Sequence, residues 1–294
     1  MKKKAFIYII LAGILWGTSG IFVKLLSPYG ITPFQMTAVR GTVSSACMFV
    51  FALIKDRSLL KIKPTDIVFF ALIGLSLFGT GGCYYTSMQM TSVSTAVILM
   101  YTAPVYVMIF SVLFLGEKFS KLKLVSIVCM LAGCCLVSGM IGGLKFNVAG
   151  ILIGVLSGIS YAAYNILTKI AMRRGFTAVT ATMYSFVFMA VIALSFSSPI
   201  DIVYAAKNDP LPLIPMLIAL GIVTHVLPYL FYTLSMKSLP VGTVSALGIV
   251  EPMAATIFSV ILFKEKLDIF SASGIILILA AVFLLAKAED TAEE

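Results

Sequence analysis

The chain has 294 residues, of which 61% are hydrophobic and 11% charged, with a formal net charge of +9. A soluble domain is about half apolar and about a quarter charged, so this composition excludes a soluble globular enzyme and points to an integral membrane protein. The Lys and Arg excess lies between the apolar runs, where topology signals belong, and gives no reason to expect a nucleic-acid partner.

The apolar runs have the length of membrane-crossing helices, about 20 residues, and not the alternation of barrel strands of about 10 residues. In chain order they fall near 5–26, 33–54, 66–87, 92–114, 121–140, 148–172, 177–199, 211–235, 240–262 and 269–287. Pro28 and Gly30, Pro64, Gly142 and Gly143, Gly175, Pro210 and Pro212, and Pro240 punctuate the gaps. The first run follows Lys2, Lys3 and Lys4 but extends from Ala5 to Leu26. That is too long for the apolar part of a signal peptide, and no small-residue cleavage site follows, so a retained first span is expected.

With the N-terminus placed inside, the inner segments hold fourteen Lys and Arg and the outer segments four. The positive-inside rule then predicts a cell-membrane protein with both termini cytoplasmic. The tail AEDTAEE is expected to be a short, disordered acidic end.

The second half repeats the first. SMQMTSVSTAVILMYTAPVYVMIFSVLFLGEKFS from Ser87 parallels LSMKSLPVGTVSALGIVEPMAATIFSVILFKEKLD from Leu234. A shift of 148 positions carries Pro104 onto Pro252, Glu117 onto Glu265 and Lys118 onto Lys266. The expected fold is all-α and integral to the membrane: ten transmembrane helices as two five-helix repeats, 1–145 and 146–288, with a tail at 289–294. An odd number of spans per copy inverts the second copy. Inverted repeats are the signature of a secondary transporter, with its site between the halves.

Ionisable groups within spans are costly and need partners or a wet cavity. His225 precedes the turn near Ser238 by 13 positions, and Glu251 follows it by 13. If spans eight and nine are antiparallel neighbours, the helical rise of 1.5 Å per residue puts both at one depth. A carboxylate beside an imidazole there could exchange a proton, making Glu251 and His225 proton-coupling candidates. Their positions in the first copy are Leu77 and Ala103, so the shared architecture does not demand the charge. The competing role is structural: Glu251 bracing the backbone broken by Pro252, His225 bonding a neighbour.

His225, Tyr229 and Tyr232 follow the i, i+4, i+7 spacing of one helix face, and Tyr161, Tyr164, Asn165 and Thr168 share a face of span six. Trp16 and Tyr101 bring the expected cavity lining to Trp16, Tyr101, Tyr161, Tyr164, Asn165, His225, Tyr229 and Tyr232, a set suited to a flat or amphiphilic solute. Helix packing and interface belts are the alternative, favoured for Tyr84, Tyr85 and Gln89 near an outer end. Pro104, Pro228 and Pro252 are expected helix breaks or hinges. Lys24 and Lys169 can snorkel to headgroups. Arg40, deeper in span two, is expected to pair with a carbonyl or attract an anionic solute group. The five cysteines, all within apolar runs, lack zinc-ligand spacing and are expected to pack. No metal or cofactor is expected. One His, no phosphate loop and no zinc-protease motif argue against an enzyme, and pumping would draw on gradients.

WGTSGIFVK from Trp16 and PFQMTAVR from Pro33 resemble the opening of EamA-type members of the drug/metabolite transporter superfamily. Pro104 with Gly116, Glu117 and Lys118 is similar to the family's fourth-to-fifth-span signature. Glu251, Pro252, Glu265 and Lys266 are similar to its second copy, with Lys264 where Gly is common. The resemblance covers nearly the whole chain. It implies a ten-helix carrier whose cavity is lined by spans one, three, four, six, eight and nine, in a family that includes exporters of amino acids and other metabolites.

The expected function is therefore a gradient-driven or facilitative small-metabolite carrier working by alternating access, foremost an exporter of amino acids or related metabolites. The alternatives are an importer of a vitamin or sugar-like nutrient, a cationic drug exporter and, from other classes, an intramembrane enzyme or lipid scramblase. Expected partners are a small-molecule substrate, the lipid bilayer and protons as a candidate coupling ion. A monomer would suffice, and a dimer is compatible.

Overall fold

The computed structural model describes residues 2–117, 121–138, 147–264 and 268–291. Every regular element among them is helical. In hydrocarbon a helix satisfies each N–H and C=O within its own segment, which water cannot do there. The membrane helices are α1 (Lys2–Tyr29), α2 (Pro33–Lys55), α3 (Pro64–Met90), α4 (Val93–Leu115), α5 (Lys121–Val137), α6 (Val148–Arg173), α7 (Ala178–Phe196), α8 (Pro210–Ser235), α9 (Val241–Phe263) and α10 (Ile269–Lys287). Nine of them are long and apolar enough to cross a membrane among the described residues, and α5, with 17 residues, is the shortest. The chain is a multi-pass membrane protein with the expected ten-helix order. The turn at Gly142 and Gly143, the repeat boundary at 145/146, and Lys118, Lys145, Glu265 and Lys266 lie outside the described residues. The last helix continues to Thr291, so the start of the acidic tail is helical, against the expected disorder.

Local chemistry sets the helix starts. Thr32 and Gln35 form a reciprocal capping box, with the Thr32 N–H donating to Gln35 Oε1 at 2.9 Å, ahead of Pro33 at the first helical position. Ser92, Asn147 and Thr177 cap α4, α6 and α7 more simply, each side-chain oxygen accepting the backbone N–H three residues on. Two helices are discontinuous at repeat-equivalent places. Helix α4 is Val93–Met100 followed by Ala103–Leu115, and α9 is Val241–Leu247 followed by Val250–Phe263. Each break comes just before its proline, Pro104 or Pro252, which has no N–H to continue the ladder. Pro228 acts similarly in α8, where a π turn at Ile222–Val226 precedes it and the Leu227 N–H reaches the Ile222 carbonyl.

Packing follows a pseudo-two-fold exchange of the repeats. Helix α1 packs against α8 and α9, and its counterpart α6 against α3 and α4. Helix α2 meets α7, α5 meets α10, and the second half of α4 meets the first half of α9. Glycines permit the closest crossings, as membrane helices require when no hydrophobic force drives them together. A Cβ on Gly133 would lie 2.9 Å from the Gly274 carbonyl oxygen, and one on Gly274 2.6 Å from that of Gly133. Gly74 abuts Phe188 and Met189 of α7, while Gly221 abuts Val43 of α2, the same contact with the repeats exchanged.

Alternating spans put Lys2, Lys55, Arg173, Lys237 and Lys287 at one end of the bundle, the basic face. At the opposite face a short helix, Ile200–Asn208, lies between α7 and α8. It joins a satellite cluster with Leu26, Met36, Leu213 and Leu217. It fills most of the gap between the apolar runs at 177–199 and 211–235.

Candidate functional site

Residues from α1, α6, α7 and α8 converge on an aromatic cluster inside the bundle. Trp16 meets Tyr229 edge-on at 5.0 Å between ring centroids and Tyr232 at 5.3 Å. Tyr164 meets Tyr229 at 5.6 Å, and Tyr161 meets Tyr232 at 6.1 Å. Edge-to-face and tilted pairs at these distances add attraction beyond burial. The Tyr232 hydroxyl donates to Asn165 Oδ1, and Asn165 Nδ2 donates to the Tyr161 carbonyl at 2.7 Å. Asn165, Tyr164 and Tyr232 are fully buried. The expected lining residues of α1, α6 and α8 are thus brought together, but as a packed layer.

Beyond this layer, toward the opposite face, is a polar group of residues. Tyr101 lies at the break in α4, and its hydroxyl is directed at the Glu251 carboxylate. Glu251 occupies the first turn of the half-helix Val250–Phe263, where the exposed N–H groups favour an anion. Arg40 of α2 comes within electrostatic range of Glu251. Its Nη1 donates to the Tyr85 hydroxyl at 3.4 Å, and its Nε is buried without a hydrogen-bond partner. Tyr84 and Tyr85 pack ring to ring at 5.2 Å beside it. Residues 81–86 of α3 are all half-buried. A Cβ on Gly20 would meet nothing within 4 Å, and one on Gly81 nothing closer than 3.9 Å. The bundle is loose here.

Three expectations need correction. His225 and Glu251 do not form a pair. His225 packs between Phe186 (4.7 Å) and Tyr229 (4.6 Å), whereas Glu251 faces Tyr101 and Arg40. The reason is topological: α1 packs against both α8 and α9, so the consecutive spans lie on its two sides and not against one another. Lys169 turns inward to donate to the Met236 carbonyl and does not snorkel outward. Of the two roles expected of Arg40, pairing with a carbonyl is not what the structure shows, since its Nη1 donates to a tyrosine hydroxyl, and attraction of an anionic solute group stays open. Tyr84 and Tyr85, favoured as interface residues, border the polar group, while Gln89 is exposed. Phe186 was not anticipated at all, because one phenylalanine in a Phe-rich span carries no distinguishing signal.

Lys24 stands with its Nζ 3.6 Å from the centre of the Phe263 ring, a cation–π contact. The five cysteines are free thiols. Among the described residues no group of three or more His, Cys, Asp or Glu side chains could hold a metal ion.

The model of the EamA-like transporter family matches this chain twice, at residues 3–139 and 148–287. An uncharacterized transporter of Archaeoglobus fulgidus is 28% identical over 278 residues, covering 94% of each chain. The uncharacterized transporter YwfM of Bacillus subtilis is 23% identical and covers 98% of this chain and 96% of its own. A solved crystal structure 20% identical in sequence matches all of both chains with a TM-score of 0.82, a likeness of fold.

Proposed function

Because the chain belongs to the EamA-like transporter family, as the double match over nearly its whole length establishes, we propose that this membrane transporter is a secondary carrier exporting zwitterionic amino acids or close relatives by alternating access. The observation that carries the reading is the pair of opposite charges, Arg40 and Glu251, set over an aromatic layer. A guanidinium with a buried, unpartnered Nε is built to receive a carboxylate. A carboxylate at a half-helix start can receive an ammonium group. Trp16 and Tyr229 of the layer, with His225 packed on Tyr229 and Tyr101 directed at Glu251, would set the choice of amino-acid side chain. In this reading the basic face is cytoplasmic, as the Lys and Arg asymmetry favours, and one subunit encloses the whole pathway.

Glu251 is also the candidate proton carrier, since it is an acidic group that both cargo and proton can neutralise. His225, away from Glu251, is left with an unpartnered buried Nε2 and serves the cavity wall in this reading.

The test is exchange flux from proteoliposomes loaded with a pooled mixture of amino acids, organic cations and sugars, followed by mass spectrometry. Zwitterionic amino acids are expected to leave selectively. Arg40→Ala should lower that flux by about 10- to 100-fold, the scale of a lost charge-assisted hydrogen bond of about 1.5–3 kcal/mol. Glu251→Gln should remove the response to an imposed pH gradient. Release of organic cations or sugars alone, or full flux in Arg40→Ala, would overturn the assignment.

A further inference from the structure

The basic face is closed by three side-chain bonds, two of which cross between the repeats. From α6, Lys169 Nζ donates to the Met236 carbonyl at the end of α8, and Arg173 Nη2 donates to the Leu115 carbonyl at 2.9 Å. The Val241 N–H donates to Glu117 Oε1 at 2.9 Å. This last contact has a local cause. Helix α9 begins after Pro240, which offers no capping side chain, so its N-terminus lacks an acceptor of its own. Glu117, from the far end of α4, supplies one and adds a negative charge where the helix dipole favours it. Glu117 also lies within electrostatic reach of Lys169.

Three of these partners, Lys169, Met236 and Val241, have counterparts among the described residues of the opposite face. The stretch WGTSGIFVK, ending at Lys24, corresponds to YAAYNILTK, ending at Lys169, and Met88 and Val93 stand 148 positions before Met236 and Val241. There these three residues are placed differently. Lys24 rests on the Phe263 ring. Val93 is 59% exposed, against 0% for Val241. Met88 is half-buried, whereas Met236 is fully buried. Ser92 caps α4 from within, so that helix needs no distant carboxylate in this state.

We propose that Lys169 and Glu117 form a latch that holds the basic face shut, and that Lys24 makes the matching bond to the Met88 carbonyl when the opposite face closes. The two lysines exclude each other. Each binds a carbonyl that its own face presents only when the helices have come together, so closing one end releases the other. The latch rests on the carrier reading but not on the choice of cargo.

The test is thiol accessibility in membrane vesicles of both orientations, with a membrane-impermeant methanethiosulfonate reagent. The five native cysteines are replaced by alanine, and a reporter is introduced at Ser245→Cys or at its repeat equivalent, Val97→Cys. Without further change, Ser245→Cys should be protected and Val97→Cys labelled. Lys169→Ala and Glu117→Ala should each raise Ser245→Cys labelling from the basic face about tenfold, and lower that of Val97→Cys. Lys169→Arg should keep the protection. Adding Lys24→Ala to Lys169→Ala should restore it, which a merely unfolded protein cannot do. The latch is wrong if Ser245→Cys stays protected in both single variants, or if Lys24→Ala fails to restore protection. Neither result touches amino-acid flux, which is measured separately.

Discussion

Residues 241–250 of α9 and residues 93–102 of α4 are repeat equivalents, yet they differ in burial. All ten of the α9 positions are buried, whereas the α4 stretch mixes buried, half-buried and exposed positions. Both begin a discontinuous helix of the same architecture. The architecture is therefore common to them, and the difference is one of packing: the basic end is tightly packed and the opposite end is loose. Two packings of matched parts that differ little in energy are what a carrier needs in order to exchange one opening for the other.

The comparison breaks most severely through glycine. On α1, a Cβ at Gly17 would lie 2.7 Å from Ala254 Cβ and 2.9 Å from the Ala255 nitrogen, while one at Gly20, a turn further toward the open face, meets nothing within 4 Å. Gly17→Leu should destabilise the folded carrier by about 1–3 kcal/mol or more through overpacking, read as a lowered midpoint of thermal unfolding in detergent. Gly20→Leu should leave that midpoint unchanged but slow exchange flux, because the added side chain occupies space that the opposite face closes into. Equal loss of stability in both variants would mean that the looseness around Gly20 is not a property of the protein.

The contrast also marks what the sequence could reveal. The ten spans, the 148-residue repeat and the breaks at Pro104, Pro228 and Pro252 were legible, because each is written within one segment. The shared faces of Tyr161, Tyr164 and Asn165 and of His225, Tyr229 and Tyr232 were legible from helical spacing. Which helix stands opposite a given face was not. Adjacent numbering suggested that His225 and Glu251 meet, but α1 occupies the space between their helices. The same limit hid the Arg40–Tyr85 bond, the turn of Lys169 to Met236, and Phe186 against His225. All are contacts between segments far apart in the chain. The helix Ile200–Asn208 was missed because it is short and lies between two proline-bearing ends.

A smaller effect sharpens the comparison at the tyrosines. Tyr232 and Tyr84 are equivalent, one in the packed layer and the other beside the loose polar group. Tyr232→Phe leaves the buried Asn165 Oδ1 without its donor, a loss of about 1–3 kcal/mol. Tyr84 is half-buried, and Tyr84→Phe should change stability by under about 0.5 kcal/mol. Denaturant unfolding of the two variants side by side decides it. A Tyr84→Phe loss as large as that of Tyr232→Phe would place both tyrosines in equally packed surroundings.

The smallest expected effect is at Asp268, the cap at the start of α10 on the face opposite the basic one. Its Oδ1 accepts the N–H of Ser271 and of Phe270, each at 2.8 Å. The Ser271 backbone bond, helped by the Ser271 hydroxyl and the Phe270 N–H, holds this carboxyl below its ordinary range. The folded form therefore prefers the carboxylate more than the unfolded form does. Its contribution is complete above the ordinary Asp pKa and fades as the pH falls through the lowered one. Asp268 is fully exposed, so solvent screens the contribution and the effect is small. Asp268→Ala should lower the unfolding midpoint slightly above about pH 5, with the difference vanishing below about pH 3. Because the cap belongs to α10 alone, the same variant should leave the labelling of Ser245→Cys and Val97→Cys unchanged. A shift in either reporter would mean that the start of α10 takes part in the exchange of faces, and that the asymmetry between α4 and α9 extends to the α5–α10 pair.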